Sequence, residues 1–186
     1  MKHIKNDFKA WMLICLLLVI IFVIYNQQNN DKYEESESVE ESPLSTELHP
    51  TIRKKTDQLV ESAAKEGIQV VITETIRTME EQDQLYAKGR SAEGNIVTYA
   101  QAGESYHNYG LAVDFAIKDN QGDVIWDTGY DGNNNGKSDW FEVAEIAKDL
   151  GFEWGGDWQS FKDYPHLQIT FGLSIRQLQS GERPDS

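Results

Sequence analysis

The chain has 186 residues, a formal net charge of −14 and 11% aromatic side chains, a length that gives one domain plus accessories. The acidity, with no basic patch, excludes nucleic-acid binding through phosphate contacts. The single cysteine, Cys15, excludes both an intramolecular disulfide and a cysteine-built zinc site.

Residues 1–9 form a basic tail with Lys2, Lys5 and Lys9, and residues 10–25 are an unbroken apolar run from Ala10 to Tyr25. That run approaches the ~20 residues of a membrane span. The positive flank predicts a cytoplasmic tail and export of everything after Tyr25. A cleaved signal peptide is the rival, but Tyr25-Asn26-Gln27-Gln28 offers no small residues for a cleavage site. The expectation is a single-pass anchor in the cell membrane, with the folded part on the extracytoplasmic side. Residues 26–47, rich in Asn, Gln, Ser and Glu, read as a disordered acidic linker.

The folded domain is placed at residues 48–178, with 179–186 as a C-terminal tail. His49 to Glu66 reads as an amphipathic helix with Ile52, Leu59, Val60 and Ala63 on one side, and Gly67 suits its C-terminal cap. Ile68 to Thr73 is β-branched and apolar, a buried strand. Thr78 with Glu81 forms a capping box for a helix to Lys88, stopped by Gly89. Residues 90–109 read as a long loop, and Gly110 to Ile117 as a strand. Asp119 to Gly122 is a turn from which Val124 to Trp126 pairs back as a hairpin. Asp139 to Leu150 is a further helix, stopped by Gly151, and His166 to Thr170 a last strand. This order predicts an α+β fold with a small antiparallel sheet and flanking helices.

Of four histidines, His3 lies in the basic tail and His49 precedes Pro50 at a helix start. His107 and His166 remain, both at loop-to-strand edges. If the chain turns at Gly110, Asp114 comes back near His107. Two imidazoles and a carboxylate make a three-ligand zinc set with an open fourth position, where a water's pKa falls toward ~7. The alternative is two ordinary histidines and a turn Asp. Asp163, three residues before His166, is a candidate base, or a solvated turn residue. Arg77, directly after a strand, is a candidate for binding a carboxylate or oxyanion, or a surface cation. Trp154 and Trp158 flank a Gly pair. They suit either a substrate-binding cleft wall or the core.

These residues resemble the zinc peptidase family of D-Ala-D-Ala carboxypeptidases, D-Ala-D-Ala dipeptidases and L-alanyl-D-glutamate endopeptidases. The family pattern Ser-x-His-x-x-Gly-x-Ala-x-Asp, then an acid three residues before a second His, is met by Ser105, His107, Gly110, Ala112, Asp114, Asp163 and His166. The resemblance implies the fold shared with the hedgehog signalling domain, Zn2+ held by His107, Asp114 and His166, Asp163 as base and Arg77 as substrate or oxyanion stabiliser. Ser105 is implied as a supporting, substrate-binding residue. Asp163-Tyr164-Pro165-His166, in place of the Glu-Pro-Trp-His of the carboxypeptidases, resembles the CwlK-type endopeptidase branch of this VanY-like family. The implied partner is the peptidoglycan stem peptide, cut at L-Ala–D-Glu. The D-Ala-D-Ala terminus is the runner-up bond, and an inactive zinc domain that binds wall peptide is the non-enzymatic alternative.

A second pattern stands apart from that resemblance. From Asp131 to Glu142 the chain matches a twelve-residue calcium loop. Asp131, Asn133, Asn135 and Asp139 fall at positions one, three, five and nine, Gly136 at six and Glu142 at twelve. The alternative is an Asn/Gly-rich turn with Asp139 as a helix N-cap and no Ca2+.

Overall fold

The computed structural model describes residues 46–185; the basic tail, the apolar run and nearly all of the linker lie outside them. Among the described residues no helix is long and apolar enough to cross a membrane.

Helix α1 spans Pro50–Lys65. His49 starts it: its side chain accepts a hydrogen bond from the Thr51 amide, and Pro50 needs no partner for an N–H it lacks. Ile52, Thr56, Leu59 and Ala63 form the buried stripe. Val60 is only half-buried, a correction to the expected face. At 3.6 residues per turn it lies about 80° around the helix from Ile52, at the edge of the stripe. The helix ends in a Schellman arrangement, with Gly67 N–H donating to Ala64 and Ile68 N–H to Ala63, and Gly67 at φ 81°. Ile68 is buried as part of this cap, not as the start of a strand.

Strand β1 is Gln69–Glu74, and it is a half-buried edge strand rather than a buried one. Helix α2, Met79–Ala87, opens with the expected capping box of Thr78 and Glu81. The expected loop 90–109 ends in a 3-10 turn, Tyr106–Tyr109, capped by Ser105 with Asn108. The central strand β2 is Ala112–Lys118, β3 is Val124–Ile125, and helix α3 is Asp139–Asp149. Strands β4, Glu153–Trp154, and β5, His166–Gln168, follow. A short helix α4, Ile175–Gln179, was not expected and runs past residue 178. Its Leu178 packs with Tyr109 and Leu111 in a small second cluster.

All strands pair antiparallel in the order β1-β2-β5-β4, with β3 beside the far end of β2. Side chains alternate between sheet faces. Val113, Phe115 and Ile117 therefore share one face, and Phe115 packs on Trp140 of α3 at 5.0 Å. The register puts Leu167 opposite Val113, and Trp154 opposite Leu167, on that same face. With Ile52 and Leu59 of α1 and Val143 and Ala147 of α3, these residues form the core. Each fully buried aliphatic side chain there contributes about 1.5–3 kcal/mol. The other face carries Asp114, His166 and Gln168, and the site is built on it.

Candidate metal centre

Asp114 and His166 are direct cross-strand partners in the β2–β5 ladder. Their side chains therefore leave the same face side by side. His107 arrives from the 3-10 turn, which Gly110 ends in the left-handed conformation at φ 70°. A side chain at that φ would be strained, so glycine lets the chain reverse there and enter β2. The reversal brings His107 Nε2 to 3.1 Å from Asp114 Oδ1 and 3.2 Å from His166 Nδ1. His166 Nδ1 lies 3.3 Å from the same carboxylate oxygen.

The opposite ring nitrogens are already engaged. His107 Nδ1 meets the Thr75 carbonyl at 2.7 Å, and His166 Nε2 meets Gln168 Oε1 at 2.9 Å. Both acceptors require N–H there, which leaves lone pairs on His107 Nε2 and His166 Nδ1. Two lone pairs and a carboxylate oxygen thus converge on one point, an arrangement that needs a cation. Bonds of about 2.0–2.1 Å in a tetrahedral zinc set separate the ligand atoms by about 3.3 Å. The three distances fit that set. Among the described residues this is the group of three metal-ligating side chains whose ligand atoms lie within 4.8 Å of one another.

Charge follows the same geometry. Burial opposes ionisation of Asp114, but the two imidazoles beside it, His107 and His166, outweigh that and hold the carboxyl far below its usual range. Burial likewise opposes charge on His166, yet Asp114 raises it above its ordinary value. Arg77 Nη2 lies 3.4 Å from the outer oxygen Asp114 Oδ2, and its Nη1 donates to Gln82 at 3.0 Å. Arg77 is thus tied to a ligand of the cluster rather than left as a surface cation.

These groups line one cleft of about 800 Å³. Asp163 lies in it, in a turn closed by His166 N–H to the Asp163 carbonyl at 3.2 Å. Burial and the negative Asp114 push the Asp163 carboxyl up, only partly offset by the imidazoles and Arg77. Trp158 also lines the cleft, its ring 5.1 Å from that of His166. Ser105 reaches the cleft as well, but its Oγ caps the turn by accepting from the His107 amide. Trp154 does not join them. It is 3% exposed and donates its indole N–H to the Tyr164 carbonyl at 2.8 Å. The register of β4 turns it to the core face, which corrects the expectation of a substrate-binding role.

Two residues were missed in the sequence. Gln168 holds His166 and in turn donates to Glu153 at 3.0 Å. Its signal was the two-residue step from His166 along one strand face. Gly155 was noted only as one of a pair. A Cβ there would come within 2.5 Å of the Asp163 carbonyl, so the turn carrying Asp163 and His166 can pack against β4 only over a glycine.

The residues of the other pattern stand away from this cleft, in the loop before α3. Asp131 accepts from the amides of Asn135 at 3.1 Å and Gly136 at 2.9 Å. The Asn133 and Asn135 amides hold the Glu142 carboxylate at 3.3 and 2.7 Å. Asp139 is not the N-cap. Ser138 takes that position without a side-chain cap bond, and Asp139 is buried in the first turn.

Comparisons with known proteins find similar peptidases. A family model described as D-alanyl-D-alanine carboxypeptidase matches residues 98–169, which hold all three clustered side chains and Asp163. The peptidoglycan L-alanyl-D-glutamate endopeptidase CwlK of Bacillus subtilis (strain 168) is 51% identical over 161 residues, 87% of this chain and 95% of that protein. The L-alanyl-D-glutamate peptidase of Listeria phage A118 is 39% identical over 114 residues, 61% of this chain and 35% of the phage protein. Among solved structures, the LdcB LD-carboxypeptidase shares the fold at a TM-score of 0.50 and 20% identity, over 71% of this chain and 63% of that one. The chain belongs to the family of peptidases that joins D-alanyl-D-alanine carboxypeptidases and L-alanyl-D-glutamate endopeptidases.

Proposed function

We propose that the chain is a zinc-dependent peptidase of bacterial peptidoglycan that hydrolyses stem peptides between L-Ala and D-Glu. The observation that carries this reading is the convergence of His107, Asp114 and His166 on one point within the cleft that also holds Asp163. The 51% identity to CwlK, named as an endopeptidase for that bond, supports the choice of bond.

His107 Nε2, Asp114 Oδ1 and His166 Nδ1 hold the zinc. When bound, zinc supplies Lewis acidity for amide hydrolysis. The remaining chemistry belongs to the chain. Asp163 accepts the proton of the attacking water and later returns one to the leaving amine. Burial in the cleft is the first cause that favours its protonated form, which suits a group that takes up a proton and returns it. Arg77 is the cation lining the cleft, and it suits the carboxylate of a glutamyl residue or the oxyanion that develops beside it. Trp158 supplies an apolar wall next to His166. Thr75 and Gln168 fix the imidazole tautomers, so that each ring presents a lone pair without reorganisation.

Digestion of purified cell wall by the full-length protein, with mass spectrometry of the new ends, tests the reading. Fragments with a new N-terminal D-Glu support the endopeptidase, and their loss with a chelator supports a metal-dependent reaction. Release of D-Ala alone favours the carboxypeptidase reading, which the description of the matching family model also suggests. No released product with either bond would leave an inactive wall-binding domain and overturn the proposal.

The location is proposed on sequence alone. Lys2, Lys5 and Lys9 before the apolar run Ala10–Tyr25 support a single-pass anchor in the cell membrane with the peptidase outside. Protease added to intact cells should then cut between residues 26 and 47, and protection of that segment would reverse the orientation.

A further inference from the structure

We propose that the loop from Asp131 to Glu142 binds a calcium ion, at a structural site separate from the catalytic metal. The starting observation is a buried carboxylate with one oxygen left unpaired. Asp139 is 2% exposed. One oxygen, Oδ2, accepts from the Gly132 amide at 3.1 Å, inside the loop. The other, Oδ1, is buried without a hydrogen-bond partner. A buried carboxylate oxygen left unpaired is costly, and chains resolve it with a donor, a proton or a cation.

The surroundings favour a cation. Asp131 and Glu142 are the carboxylates whose negative charge acts on Asp139. Three carboxylates of one sign therefore crowd a single short loop. Asn133 and Asn135 hold the Glu142 carboxylate from inside that loop. All these side chains offer oxygen, and none offers imidazole or thiolate. Such a set selects a hard ion and not zinc. Calcium fits better than magnesium, because a loop with ligands at positions one, three, five, nine and twelve supplies more oxygens than magnesium's strict octahedron takes from protein.

The backbone is shaped to match. Gly136, at position six, has φ 87°, and Asn134, at position four, has φ 59°. These two left-handed residues turn the chain around Asp131, whose carboxylate caps the Asn135 and Gly136 amides. The loop also touches α1, where Asn133 Nδ2 donates to the Glu66 carbonyl at 3.1 Å. An ion held here fastens the end of α1 to the start of α3, the two helices that cover the core face of the sheet. With two Asn among the ligands the charge is low, and affinity falls in the ~10⁻⁴–10⁻³ M range of extracellular modules.

The test is thermal unfolding of the full-length, zinc-saturated protein in detergent micelles, with calcium or magnesium chloride at about 10 mM. Calcium should raise the melting temperature by about 3–6 °C, as a ligand at about ten times its Kd does for a domain of this size. Glu142→Gln should remove the rise. Asp139→Asn should remove it too, while melting no lower than the parent without calcium, because it relieves the unpaired buried charge. His107→Ala, which strips the catalytic metal, should keep the rise. No shift in the parent, an equal shift with magnesium, or a shift kept by both loop variants would overturn the site.

Discussion

The cluster of His107, Asp114 and His166 and the loop of Asp131 to Glu142 are two ways of gathering ligand atoms. The loop draws its groups from twelve consecutive residues, so local turns alone bring them together. The cluster draws on a 3-10 turn and two strands, with His107 and His166 separated by 59 positions. Its geometry exists only after β2 and β5 have paired in register. The difference predicts that the cluster is sensitive to distant changes in the fold, while the loop answers to its own residues.

The largest effects fall on the cluster itself. His166→Ala should remove most bound zinc and lower wall-peptide release by at least about 10³-fold, since several kcal/mol of transition-state stabilisation goes with the metal. Asp163→Asn should lower release by roughly 10²–10⁴-fold while zinc, measured by elemental analysis, stays bound. Loss of zinc in Asp163→Asn would make that residue a ligand or a structural prop instead of the base.

Support of the cluster from outside its three ligands comes next. Gln168→Leu removes the acceptor that fixes the His166 ring and leaves Glu153 without its partner. Zinc affinity, read by competition with a chelator, should fall by about 10–100-fold. Unchanged affinity would mean that β-sheet register alone fixes the imidazole.

Gly110→Ala tests the turn that returns His107 to Asp114. A side chain at φ 70° should cost about 1–2 kcal/mol of stability, seen in denaturant unfolding, together with weaker zinc binding. A loss of stability with zinc affinity intact would show that His107 is placed by its contact with Thr75 and not by the turn.

The smallest expected effect sharpens the contrast. Glu142→Gln should leave zinc content and peptide release unchanged, because the loop holds none of the groups that line the cleft. A drop in zinc content in that variant would couple the two regions through α3.

Much of this was legible residue by residue. The capping box of Thr78 and Glu81, the Gly67 stop and the turn at Asp119 rest on contacts a few residues apart, and they formed where the pattern placed them. Departures occurred where burial was inferred from composition. Ile68 and its β-branched followers suggested a buried strand, yet β1 lies at a sheet edge. Trp154 and Trp158 were indistinguishable as a pair. Only the β4–β5 register separated them, sending one into the core and leaving the other beside His166.

By itself the sequence determined which side chains were available for chemistry. A chain whose one cysteine lies in an apolar run, and whose motif histidines are His107 and His166, had to build a metal site from imidazole and carboxylate. It also determined the local turns, since a glycine or a capping side chain acts on its own neighbours. The tertiary structure decided which atom of each side chain is used and what stands behind it. Asp114 meets the imidazoles through Oδ1 because Arg77 lies against Oδ2, and His166 presents Nδ1 because Gln168 holds Nε2. Those choices depend on cross-strand register and sheet face, which couple residues far apart in the chain and leave no mark in local spacing.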